Sequence, residues 1–217
     1  MLLKDQQIEQ LTALIPGEVI AIGVSVDDYM ERYAADFCEW LGGVVIKMSP
    51  IHLRHADLTA YLQRFFETYF ELRPIGKVIE APFVMRQPDP LPKREPDLQI
   101  LLKTNLHRLK PTYVEDHADI CIEVVSPGSE DVDYGAKFKE YQTSGVPEYW
   151  IFDPIRKESR LFRLNDDGIY ISQPIDHEGH YRTDMLPGLA LHVPTLWQED
   201  LPGPGAVVRA VEAMLNL

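Results

Sequence analysis

Residues 95–102, EPDLQILL, and residues 118–154, ADICIEVVSPGSEDVDYGAKFKEYQTSGVPEYWIFDP, carry the pattern around which the rest of the chain is organised. Asp97 follows Pro96 at the head of one apolar run, and Glu123 interrupts a second run, Ile120 to Val125. An ionised carboxylate inside an apolar strand is costly unless a cation, a set of donors or a metal ion compensates it. Two such carboxylates on neighbouring strands repel each other, and a divalent cation between them is the simplest compensation.

Alternation along Asp119 to Val125 places Cys121, Glu123 and Val125 on one face and Ile120, Ile122 and Val124 on the other. The near-continuous apolar run predicts a strand buried on both faces. Ser126-Pro127-Gly128 stops it, and a helix is expected from about Glu130 to Ser144 with Gly145 as its C-cap. On that helix Asp133, Lys137 and Tyr141 share one stripe, so packing it on the Glu123 face brings Lys137 towards Glu123. Lys139, at about 100° per residue, points roughly 160° away. Two carboxylates and a lysine can hold Mg²⁺ or Mn²⁺, lower the pKa of a bound water and stabilise developing charge. Two blander roles stay open: Asp97 capping a turn, and Glu123 forming a structural ion pair with Lys137.

Upstream, Ser25 is a candidate N-cap for a helix from Val26 to about Phe37, and Glu39 to Pro50 reads as two short strands around Gly42-Gly43. The first forty-odd residues read as a leader element. Leu58, Leu62, Phe65, Phe66 and Tyr69 predict a long amphipathic helix from His52 to Leu72, followed by a strand from Lys77 to Met85. Four prolines make Gln87 to Pro96 a loop, Leu98 to Leu102 is a strand, and Lys103 to His117 is irregular or weakly helical. Downstream come a strand at Glu148 to Phe152, a hairpin around Asn165-Asp166-Asp167, a short strand at Leu189 to Val193 and a final helix from Ala206 to about Leu215. Tyr149, Trp150 and Phe152 are core candidates, and the apolar face of the last helix is expected to dock internally or on another subunit. The predicted arrangement is a single α/β (α+β) domain over 1–217: a core at about 52–154, an N-terminal helix and hairpin at 25–50, and a C-terminal hairpin and helix at 155–217.

The chain has 217 residues and a net charge of −13, which argues against a protein that coats nucleic acid by bulk electrostatics. Arg86 to Lys110 runs the other way, with six basic residues against three acidic ones, a candidate phosphate track containing Arg94, Lys103 and Arg108. The apolar runs are too short to span a bilayer and the N-terminus lacks a basic flank and cleavage site, so the expectation is a cytoplasmic protein. Cys38 and Cys121 fit no paired metal spacing and read as core residues.

These residues carry a resemblance. Pro96-Asp97 followed by Glu123-Val124-Val125 on a central strand is similar to the PD-(D/E)XK nuclease core, whose αβββαβ order matches that expected for His52 to Pro154. EWLGGVVIKMSP with His55, PDL, DICIEVVSP, the Asp133, Lys137, Tyr141 spacing and GVPEYWIFDP together resemble the Uma-two family of restriction-like endonucleases, over about Val26 to Leu191. The resemblance implies a restriction-endonuclease-like fold, with a central mixed sheet flanked by helices and extra terminal hairpins. It implies Asp97, Glu123 and the backbone carbonyl of Val124 as ligands of Mg²⁺ or Mn²⁺, with Glu39 as a ligand or a support. The superfamily's lysine position is Val125 here, which makes Lys137 the replacement catalytic residue. Asp133, Tyr141 and His55 are expected to support the ligands, His55 otherwise serving as a helix cap or phosphate contact.

The leading expectation is a metal-dependent endonuclease acting on DNA, duplex or single-stranded, with little base-specific readout. The acidic charge and Val125 favour a second reading, a non-catalytic binding or regulatory module that keeps the fold, as a homodimer. A sugar or nucleotide hydrolase using Glu123 as general acid ranks last, for want of a second carboxylate with a clear role.

Overall fold

The computed structural model describes residues 17–216. Strands β1 (Gly17–Ile22), β2 (Cys38–Leu41) and β3 (Val44–Met48) form an antiparallel sheet in the order β1-β3-β2. The expected hairpin is present: Gly42 and Gly43 take φ of 57° and 100°, the left-handed pair that a tight two-residue turn requires. Strand β1 lies in the leader and was not expected; the leader before Gly17 is outside the described residues. Helix α1 (Val26–Arg32) starts at Ser25, whose Oγ accepts the Asp28 N–H at 3.1 Å. It ends at Arg32 rather than Phe37, because the chain must turn to enter β2, and Phe37 makes that turn at φ 54°.

The main sheet follows helix α2 (Leu53–Leu72), in which nine side chains are buried. Its strands are β4 (Gly76–Glu80), β6 (Leu98–Leu102), β8 (Ile120–Val124), β9 (Glu148–Asp153), β10 (Glu158–Leu164) and β11 (Tyr170–Ser172), in the order β11-β10-β9-β8-β6-β4. Within this sheet, among the described residues, only β8 and β9 run parallel, joined by helix α3 (Lys137–Ser144), so the sheet is mixed. Ile120, Ile122 and Val124 pack with Leu58, Leu62, Phe65 and Phe66 of α2, while Cys121 and Val125 meet Tyr141 of α3 on the other face. Two covered faces explain the unbroken apolar reading of β8. Burying Phe66 against Trp150 contributes about 1.5–3 kcal/mol.

Three expected elements differ. Lys77 to Met85 is two strands, because Pro82 cannot donate to the ladder; β5 (Val84–Arg86) leaves the main sheet and pairs in parallel with β7 (Tyr113–Glu115). Lys103 to His117 begins weakly helical as expected, with a 3-10 turn over Lys103–Arg108, but then forms β7, which was not expected. The helix expected from Glu130 opens as a π turn, Val132–Ala136, in which the Lys137 N–H reaches the Val132 carbonyl, and α-helical geometry begins only at Lys137. Gly145 caps α3 at φ 84° as expected.

Beyond the β10–β11 hairpin, the strand expected at Leu189 to Val193 is reduced to β13 (Leu191–His192), paired with β12 (His180–Tyr181). Helix α4 (Pro204–Leu215) docks internally: Val207, Val211 and Leu215 join the α2 core. Among the described residues no helix is long and apolar enough to cross a membrane. The order α2, β4, β6, β8, α3, β9 is the expected αβββαβ core.

Candidate active site

Antiparallel pairing of β6 and β8 sets Leu98 opposite Ile122, which brings Asp97, just before β6, beside Val124 at the end of β8. The paired register ends at Leu98 and Ile122, and continuing it would face Pro96 to Val124. Proline has no N–H to give to a ladder, and the Val124 N–H bonds Asp97 Oδ2 at 2.7 Å. Asp97 Oδ1 lies 3.1 Å from His55 Nε2, and Ser126 Oγ holds the other ring nitrogen at 2.9 Å. His55 thus orients Asp97; the α2 cap is His52 instead.

Glu123 points to the α3 side as alternation requires. Lys137 Nζ donates to its Oε2 at 2.8 Å and Tyr141 OH to its Oε1 at 2.7 Å. Lys137 also lies 3.2 Å from Asp133 Oδ1, whose Oδ2 accepts from Ser129 at 2.5 Å. The expected stripe therefore converges on Glu123, and Lys139 is exposed. Glu39, Glu95, Asp97, Glu123, Asp133 and Lys137 line one cavity of about 280 Å³, together with the apolar Phe37, Met48, Pro50, Ile51 and Pro127.

Five carboxyl groups face one ammonium here, and their protonation reflects it. Burial pushes Glu123 up against the opposing Lys137 charge, with Asp97 and Asp133 adding to the rise. Burial, then the Glu39 charge, pushes Glu95 up to about 9. Burial would lower Lys137, but Glu123 and Asp133 raise it well above the ordinary lysine value, so it stays an ammonium. Burial would lower His55, and Asp97 more than reverses this. Burial would raise Glu39, yet Arg94 and then Lys137 hold it below the usual range.

The phosphate-track expectation fails for Arg94. Its guanidinium is 1% exposed and is spent on Glu39 at 2.6 Å and, bidentately, on Glu140 at 2.8 and 2.9 Å. Lys103 is exposed, but it follows the far end of β6, roughly 20 Å from Asp97 at about 3.3 Å per residue. Arg108 lies beyond it, bonded to the His117 carbonyl at 3.1 Å. The basic residues therefore do not surround the carboxylates. Sequence reading also missed Glu95, which is 4% exposed with neither carboxyl oxygen partnered among the described residues. The available signal was its place two residues before Asp97, on the same side of an extended chain.

The donor set suits a hard divalent cation. An orphaned buried carboxyl and an excess of acids over ammonium groups offer oxygen ligands. The cage is not drawn tight: among the described residues only Asp176, Glu178 and His180, on a surface turn, bring three ligand atoms within 4.8 Å of one another.

A family model for Uma2, described as "Putative restriction endonuclease", matches residues 26–194. The chain belongs to the Uma2 family. The Uma2 match opens on the first residue of α1 and closes just past β13, so it takes in every residue of the cavity. A solved structure from Anabaena variabilis ATCC 29413, a "putative nuclease belonging to DUF820", superposes with a TM-score of 0.67 at 13% identity, covering 80% of this chain and 97% of that one. At that identity the likeness establishes the fold, a restriction-endonuclease-like one. No curated protein matches the chain.

Proposed function

We propose that this chain is a metal-dependent endonuclease that hydrolyses DNA phosphodiester bonds, with Asp97, Glu123 and the Val124 carbonyl holding Mg²⁺ or Mn²⁺ and Lys137 assisting. The observation that carries the reading is the Lys137 ammonium, held by Glu123 and Asp133 inside the acid-lined cavity. When bound, such an ion lowers the pKa of a coordinated water and offsets phosphoryl charge.

The protein's own groups do the rest. His55, itself held by Ser126, keeps Asp97 aimed at the cavity. Tyr141 fixes one oxygen of Glu123 and Lys137 the other. Lys137, held as an ammonium by Glu123 and Asp133, has a third N–H that would hydrogen-bond the attacking water or a phosphoryl oxygen. The apolar wall of Phe37, Pro50 and Ile51 offers a surface for sugar or base rather than for phosphate.

The test is cleavage of labelled double- and single-stranded DNA with Mg²⁺ or Mn²⁺, comparing the native protein with folded Glu123→Gln and Lys137→Ala variants. Cleavage that both variants lose supports the assignment; an inert native protein on every DNA form sinks it. A specific observation favours the second reading, a non-catalytic module: all four oxygens of Asp97 and Glu123 already accept internal donors. That reading expects no turnover and no cation binding that depends on Glu123.

A further inference from the structure

Glu95 is the one acid in the cavity without an explanation. Asp97, Glu123 and Asp133 each accept two protein donors, and Glu39 is neutralised by Arg94 while also accepting the Glu95 N–H at 3.3 Å. The Glu95 side chain has no donor for either oxygen among the described residues, although it is 4% exposed. A buried polar group left without partners is uncommon and costly, and one that lines a cavity calls for something in the cavity to bond it.

Local chemistry aims it there. Pro96 restricts the residue before it to extended conformations, and in an extended chain positions i and i+2 face the same side. Glu95 and Asp97 are therefore presented to the cavity as a pair.

We propose that Glu95 is a third carboxylate ligand of the divalent cation, joining Asp97 and Glu123. This rests on the reading above that the site holds a cation, and it deepens that reading. Three carboxylates oppose a doubly charged ion with one negative charge to spare, beside the Lys137 ammonium that Glu123 shares with Asp133. A higher ligand charge count tightens binding of hard cations, so Glu95 sets affinity as well as geometry.

The experiment is calorimetric titration of Mn²⁺ into the native protein, Glu95→Gln and Asp97→Asn, with thermal unfolding of each in chelator and in Mn²⁺. Glu95→Gln is expected to weaken Mn²⁺ at least tenfold and to erase most of the Mn²⁺-induced rise in Tm, while unfolding in chelator no earlier than the native protein. If Glu95→Gln binds Mn²⁺ as the native protein does and Asp97→Asn does not, the role of Glu95 is overturned and the cation site stands. If the native protein binds no Mn²⁺, the site reading falls and takes this one with it. Anomalous diffraction from a Mn²⁺-soaked crystal of the native protein tests the same point without a variant. An ion about 2.0–2.6 Å from a Glu95 oxygen supports the proposal, and an ion on Asp97 and Glu123 with Glu95 beyond that distance overturns it.

Discussion

Lys137 Nζ stands 2.8 Å from Glu123 Oε2, joining α3 to β8 across fourteen residues of sequence in a place where both side chains are buried. Breaking such a pair from the Lys137 side leaves the Glu123 charge buried with only the Tyr141 hydroxyl to bond it. Lys137→Met is therefore expected to cost about 3–5 kcal/mol, and the double variant Lys137→Met/Glu123→Gln to recover only part of that loss, because Asp133 still loses its ammonium partner. Urea unfolding of the four proteins gives the coupling; strictly additive losses would show that the two groups do not depend on each other.

His55 reaches Asp97 from the first turn of α2 and has Ser126 behind it. Groups that orient a metal ligand typically carry 10–100-fold in affinity. His55→Ala is expected to lose about that much Mn²⁺ affinity while keeping its far-ultraviolet dichroism. Unchanged Mn²⁺ binding in a folded His55→Ala protein would remove His55 from the site.

Arg94 and Lys103 separate cleanly. Arg94→Ala strands Glu39 and Glu140 and is expected to destabilise the protein by about 3–5 kcal/mol, seen as a lower urea midpoint. The surface variant Lys103→Ala/Arg108→Ala should leave DNA cleavage and its salt dependence within about twofold of native, because neither residue is near the carboxylates. A drop in the salt slope of DNA binding by about two in that variant would instead return the phosphate track to the far end of the sheet.

Asp153 supplies a pH dependence. It is fully buried at the end of β9 and accepts the Ile155 and Arg156 N–H groups, both at 2.9 Å, together with the Arg156 guanidinium and Tyr134 OH. Burial would raise its pKa, but the Arg156 N–H and guanidinium, then Tyr134 and the Ile155 N–H, hold it below the ordinary aspartate value. A depressed folded value means stability present above the unfolded pKa, about 3.9, and lost as pH falls through the folded one. Asp153→Asn should thus be less stable than native by about 1.5–3 kcal/mol at pH 7, with the gap closing below about pH 4. Parallel melting curves from pH 7 to 3 check this; a gap of constant size would rule out the charged form as its source.

Much of the site was legible in the chain because periodicity states which side of its own element a residue faces. Glu123 inside an apolar run, the Asp133, Lys137, Tyr141 stripe and Asp97 after Pro96 each named a side, and packing α3 on the Glu123 face turned those sides into contacts. The same logic yielded α2, the Gly42-Gly43 hairpin and the αβββαβ order. Tertiary structure alone decided what meets across elements. Arg94 is neutralised by Glu39 and Glu140, fifty-five and forty-six residues away, and so is lost to solvent. Lys103 is close to Asp97 in sequence but emerges at the opposite end of β6, since an extended strand carries its two ends apart. Glu95 is buried with no side-chain partner among the described residues, while nearby donors are taken elsewhere, Tyr29 OH by the Cys38 carbonyl and Arg94 by Glu39 and Glu140. A local pattern can encode direction; the partner, and whether any is left over, depends on the register and packing of the whole sheet.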